Sequence, residues 1–210
     1  MYDAFTMFQE AFEKLDLAEV ATILDQTSHL FEGVYFDPVE TVIMAINMPF
    51  YPGYRLLDIA DYSPMPPVRR YMVYSRKNAV ILNFTNQPIY QLNTEVPIKL
   101  DNTIITDYTR FFLSFVRGRH GRFIVCENID DIQWKEDPPP SARKAIGNMI
   151  IPVTVKNTDE AGTYNLEATV VFKDSLFKTD IAITKNGTVT LSNEQLLIED
   201  MPVLDDVFGQ

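Results

Sequence analysis

Ile104, Ile105, Tyr108, Phe111, Phe112 and Phe115 recur at steps of one, three, three, one and three, while Thr106, Asp107, Thr109, Arg110 and Ser114 fall elsewhere. That spacing puts one apolar, ring-rich face on a helix, because residues three and four apart share a side of the 3.6-residue turn. Asp101 or Asn102 is placed to cap its first turn by accepting from an orphan N–H. Gly118 is predicted just past its last turn, where a left-handed residue without a side chain closes many helices. Each large apolar side chain that such a face buries contributes about 1.5–3 kcal/mol, so the stripe predicts core.

The rest of the chain divides around this helix. Phe5, Phe8, Phe12 and Leu15 repeat at three- and four-residue steps, and Leu17, Val20, Ala21, Leu24 and Phe31 continue after Asp16, which predicts two amphipathic N-terminal helices ended by Gly33. Residues 41–46 are apolar and too short for periodicity to separate strand from helix. Residues 54–62, 69–75 and 79–84 predict strands, with a proline-rich loop at 63–67, a hairpin loop at 76–78 and a break at Gln87-Pro88. Beyond Pro138-Pro139-Pro140 the pattern becomes an antiparallel meander over 149–156, 163–173, 176–184 and 188–191.

The last turn of that meander is decided by register. A two-residue Asn186-Gly187 turn would face Ile183 with Thr190, whereas a three-residue loop Lys185-Asn186-Gly187 pairs Ile183 with Val189 and Ile181 with Leu191. The second choice keeps the apolar face together and asks for a left-handed Gly187. The pattern as a whole predicts an α+β fold: N-terminal amphipathic helices, a central aromatic helix packed on a mostly antiparallel sheet, and a C-terminal β-meander. Residues 1–192 are read as a single domain with a subdivision near 138–148. Residues 193–210 form an acidic tail with the composition of a flexible segment.

Charge changes this picture by its placement. The net charge is −11, yet residues 1–54 hold nine carboxylates against Lys14 alone and the last eighteen residues hold five carboxylates with no Lys or Arg, so the middle is near neutral. Two acidic flanks argue against general nucleic-acid binding, which depends on neutralising phosphates. They can instead shield a basic centre. Asp3, Glu10, Glu13 and Lys14 interrupt the first turns, so neither a secretory leader nor a membrane span is predicted. One cysteine, Cys126, allows no intrachain disulfide and suits a reducing compartment, with cytoplasm as the expectation. Asn83-Phe84-Thr85 and Asn186-Gly187-Thr188 match glycosylation acceptors but read as a strand and a turn.

The basic centre is the run Arg117-Gly118-Arg119-His120-Gly121-Arg122, with Arg110 on the polar face of the helix before it. Guanidinium forks bind carboxylate or phosphate in a bidentate way and His120 adds a titratable charge, so Arg110, Arg117, Arg119, His120 and Arg122 are the candidate ligand- or partner-binding residues. A structural reading stands beside this one: cations after a helix complement its partial negative end by about 0.3–1 kcal/mol each without a ligand. A backbone phosphate cradle belongs to a helix N-terminus, so any anion here is held by side chains. A second patch, Arg69, Arg70, Arg76 and Lys77 with Tyr71 and Tyr74, is divided between two faces by strand alternation and makes a poor stacking platform.

Catalytic constellations are scarce. Cys126 shares a strand face with Ile124 and reads as a small core residue; His120, its one nearby base, lies about 20 Å along an extended chain. His29 reads as structural or superficial, and two histidines with one cysteine do not compose a familiar zinc site. Asp130-Asp131 and Glu136-Asp137 read as solvated loop charges, and no phosphate loop, nucleophile elbow or dinucleotide fingerprint occurs. No cofactor is implied. Two functions follow. In the first, a non-enzymatic interaction protein engages an acidic partner through its basic turn, with Leu196, Leu197, Ile198, Met201, Val203, Leu204 and Phe208 of the tail available for a partner's groove. In the second, an arginine-lined pocket with Tyr54, Tyr62 or Tyr71 holds an anionic small molecule. Both are compatible with a homo-oligomer.

Overall fold

In a computed structural model, which describes residues 11–204, these patterns become four α-helices and two antiparallel sheets within two units that meet in sequence between Lys99 and Leu100. The first unit is a meander of β1 (Glu13–Lys14), β2 (Thr41–Asn47), β3 (Arg55–Asp61), β4 (Val68–Tyr74) and β5 (Ala79–Leu82), each paired with the next. One helix, α1 (Leu17–Thr27), starts at Asp16, whose carboxylate accepts from the Glu19 N–H at 2.9 Å. Its Val20, Ile23 and Leu24 pack with Ile43, Ala45, Leu57, Ile59 and Met72 of the sheet and with Phe31 and Phe36 of the following loop.

One open reading is decided here and one expectation changes. Residues 41–46 are strand, with Ile43 and Ala45 inside the core shared with α1. Phe12 to Leu15, expected in a helix, are extended: Glu13 pairs with Ala45, Lys14 pairs with Met44 and the Leu15 N–H donates to the Ile43 carbonyl. Pairing along β2 and burial of Leu15 outweigh the helical spacing. Phe5 and Phe8 lie outside the described residues. At Gln87-Pro88 the chain enters α2 (Gln87–Glu95), because a proline in a first turn gives up an N–H that has no intrahelical partner anyway. Ile89 and Leu92 of that helix are buried.

The second unit is built on β6 (Arg117–Gly118), β7 (Gly121–Cys126), β8 (Thr154–Thr158), β9 (Tyr164–Phe172), β10 (Ser175–Ile183) and β11 (Val189–Ile198), in the order β11-β10-β9-β7-β6 with β8 also on β9. The aromatic helix is α3 (Ile105–Phe115), which packs against β7 and buries Tyr108, Phe111, Phe112 and Phe115. Asp101 caps the turn that leads into it, accepting from the Thr103 and Ile104 N–H groups at 2.8 Å each. The three-residue loop is confirmed, with Ile183 opposite Val189, Ile181 opposite Leu191 and Gly187 at φ +77°. Tyr108 reaches this loop and donates its hydroxyl to the Gly187 carbonyl at 2.6 Å.

Other parts of this unit differ from expectation. The triple proline leads into α4 (Pro140–Gly147), again with proline in the first turn. The last strand extends to Ile198, which faces Leu176. Met201 and Val203 then pack with Cys126, Ile132, Val171 and Leu176, and Val203 bridges to Trp134. Residues 193–198 are therefore part of the sheet, and Met201 and Val203 pack on one face of it. Phe208 lies outside the described residues.

Replacing Tyr108 with Phe should cost about 1–3 kcal/mol in a denaturant titration, since a buried carbonyl loses its donor; an unchanged midpoint would show that α3 is held to the loop by apolar packing alone. In the first unit, the Ser63 hydroxyl and N–H donate to Asp61 at 2.7 and 2.8 Å and hold its carboxyl below the usual range. With the folded pKa below the unfolded value of about 3.9, this stabilisation is complete above that value and is lost as pH falls through the folded pKa. The melting gap between the parent and Asp61→Asn should thus be widest near neutral pH and close in acid, and a pH-independent gap would contradict it.

Candidate functional site

The basic run folds as a tight hairpin. Arg117 pairs with Arg122 and Gly118 with Gly121, which leaves Arg119 and His120 as a two-residue tip, both exposed. Gly118 is not a left-handed helix cap: α3 ends through an extended Val116 at φ −118° and ψ 124°, and Gly118 is already in β6. A methyl group at Gly118 would sit 3.1 Å from the rings of both Phe123 and Phe172. The glycine is needed for close approach of those rings, which face each other across β7 and β9 and stack at 5.1 Å and 27°.

The same register brings in a residue that the sequence pattern did not single out. Phe172 pairs with Phe123 on one side and with Ser175 on the other, so the turn Lys173-Asp174 emerges beside the hairpin. A side-chain carbon at Gly121 would lie 3.7 Å from the Lys173 Cγ. Lys173 is exposed and takes a left-handed φ of +56°. One end of the sheet therefore gathers Arg117, Arg119, His120, Arg122 and Lys173. Its carboxylate, Asp174, accepts from the neighbouring Ser175 hydroxyl at 3.0 Å. Among the described residues Arg119, His120 and Lys173 have no ion-pair or hydrogen-bond partner.

Arg110 does not join this group. Its guanidinium donates to Glu127 at 2.7 and 3.1 Å and to Asp107 at 2.8 Å. Glu127 follows Cys126 at the opposite end of β7, about 20 Å from the hairpin at strand spacing. Burial pushes the Asp107 carboxyl up, and Arg110 opposes that shift. This triad locks α3 to the sheet. The second basic patch is likewise divided: Arg69 forms a bidentate pair with Asp58 and lies 5.2 Å over the Tyr71 ring, while Tyr74 is buried and donates to Gln26 at 2.8 Å.

The remaining chemistry-bearing residues take structural or surface places. Cys126 is 0% exposed and its thiol is pushed up to about 12, chiefly by burial. His29 is exposed on a 3₁₀ turn, Ser28–Leu30. Asp131 caps a short turn by accepting from the Glu127 and Asn128 N–H groups, and Asp130 pairs with Arg143. Among the described residues no three His, Cys, Asp or Glu side chains converge to hold a metal, and no helix is long and apolar enough to cross a membrane.

A polar depression of about 280 Å³ lies over β8 to β11, around Asp180. Its donors come from two β-bulges. Lys156 is the extra residue of β8 and donates at 3.2 Å; Asn193, at φ +53° in the bulge of β11, donates at 2.9 Å. These bonds, with Asn193 first, hold the Asp180 carboxyl below its usual range. The groups satisfy one another: Asn193 staples β11 to β10, and Lys156 reaches across β9 from β8 to β10.

No protein family, curated protein or solved structure matches this chain, so the geometry carries the functional reading. A native sample at mildly alkaline pH should leave Cys126 unreacted with an aromatic disulfide reagent until denaturant is added. Rapid labelling of the folded protein would show that the strand opens.

Proposed function

We propose that this chain is a non-enzymatic interaction protein that engages an acidic partner through the tip of the β6–β7 hairpin and the adjoining Lys173 turn. The observation that carries this reading is the contrast between cations. Arg110, part-buried, and Arg69, whose partner Asp58 is buried, are matched to carboxylates of the chain, while Arg119 and Lys173 stand exposed without such partners among the described residues. A local positive end on a chain of net charge −11 orients an acidic partner during encounter, since potentials from several charges add over distances of a Debye length. Individual exposed pairs contribute only about 0.2–1 kcal/mol, so recognition rests on several contacts together and weakens with salt. Among the described residues His120 has no carboxylate to orient it, and Cys126 is sealed, which favours docking over catalysis.

Fluorescence anisotropy with labelled poly-L-glutamate tests this. The double variant Arg119→Glu, Lys173→Glu should melt like the parent and bind about tenfold or more weakly, equivalent to about 1.4 kcal/mol or more. Equal affinity of parent and variant, or no binding by the parent at low salt, would refute the reading.

A further inference from the structure

The first unit carries a surface with the opposite character. Thr41 and Asp61 form the terminal pair of β2 and β3, so loop 31–40, which leads into β2, and loop 62–67, which joins β3 to β4, leave the same end of that sheet. Asp61 lies between them, accepting from the Ser63 hydroxyl and N–H of one loop, with the Asp37 backbone of the other adding to what holds its carboxyl low. On this end Tyr35, Val39, Tyr62 and Met65 are 78%, 74%, 64% and 93% exposed. Four large apolar side chains are thus exposed on two loops at one end of a single sheet.

Its rim is acidic. Loop 31–40 supplies Glu32, Asp37 and Glu40, and neither loop contains Lys or Arg. Among the described residues Glu32, Asp37 and Glu40 have no ion-pair partner. Of the cations that follow, Arg69 is paired with Asp58, while Arg70 donates to the Arg69 carbonyl at 2.9 Å and keeps its charge, one cation against three loop carboxylates. An anionic membrane would be repelled by these carboxylates. The basic end of the second unit has the matching properties, with Arg119, His120 and Lys173 around the half-buried Phe123–Phe172 stack. Aromatic centres within a charged rim are the usual anatomy of a protein interface.

We infer that the acidic partner of the basic hairpin is a second copy of this chain, which inserts its Tyr35, Val39, Tyr62 and Met65 loops between Arg119, His120 and Lys173. This rests on the docking reading above and goes further by naming the occupant. The two surfaces are different and every copy offers one of each, so reciprocal exchange of both closes a two-fold dimer and one-way repetition gives a ring or a filament.

Sedimentation velocity on the full chain from micromolar to millimolar concentration tests it. The parent should form species that grow with concentration and dissolve in about 0.5 M salt, where the Debye length falls below about 5 Å. Two variants at exposed positions, Arg119→Glu with Lys173→Glu and Tyr35→Ser with Met65→Ser, should each keep the parent's melting curve and sediment as monomers. Mixed in equal amounts, they should give a dimer and nothing larger, because each pair retains one intact junction. A parent that stays monomeric throughout would overturn the inference, as would an assembly that survives in either variant or a mixture that stays monomeric. If the monomeric parent still binds poly-L-glutamate, the docking reading stands and only the second copy is wrong as occupant. If it binds neither, both fall. Co-sedimentation of a monomeric parent with phosphatidylcholine vesicles would overturn the inference and assign the loops to a lipid surface.

Discussion

Every backbone N–H and C=O of a covered strand has to find a partner, and β9 meets this requirement on both sides at once. It pairs with β10 along its whole length, and on its other edge first with β8 and then with β7. Because side chains alternate, this register also decides which residues face which core. Ile124, Cys126 and Val171 join the cluster closed by Met201 and Val203, while Phe123 meets Phe172 on the opposite face. The positions of the hairpin tip and the Lys173 turn are consequences of the same pairing. A slip of one residue would separate the stack, fill the space over Gly118 and turn the buried thiol outward.

Burial explains why some cations are matched and others are not. An ionised group taken part of the way out of water loses hydration that only a close countercharge replaces. Arg110 lies in that regime, and so does Asp58, the buried carboxylate that Arg69 reaches from the surface; in both pairs the charges are within hydrogen-bond reach. Arg119 and Lys173 retain solvent, so folding places no such demand on them. The division between structural and interaction charges follows from where β7 begins and ends, since one end of that strand carries the hairpin and the other carries Glu127.

Local features of the chain were legible where periodicity and turn chemistry agreed. The stripe from Ile105 to Phe115 and the match of Ile183 with Val189 follow from which apolar residues can share one side, and β3, β4 and β9 lie between the turn signals that bound them. Proline misled the reading twice, because Pro88 and Pro140 open helices although their neighbourhoods read as breaks. Phe12 and Leu15 have helical spacing, but edge pairing with β2 decides their conformation. Gly118 is required for a ring contact that involves Phe172, and Arg110 is matched by Glu127. Lys173 joins the hairpin through strand register. Such relations between residues distant in sequence leave no trace in a local pattern, so Arg117, Arg119, His120 and Arg122 were readable as a group while their neighbour was not.

The sheet of the second unit ends in β11, a ten-residue strand bonded on one side only among the described residues. An open rim of that length is normally an invitation to add further strands without limit. Here the ladder skips at Asn193–Glu194 and again at Leu197, so the outward amides and carbonyls do not form one continuous straight row. The polar staple at Asp180 thus has a second effect: it crimps the margin of the sheet and makes it a poor seed for amyloid-like stacking.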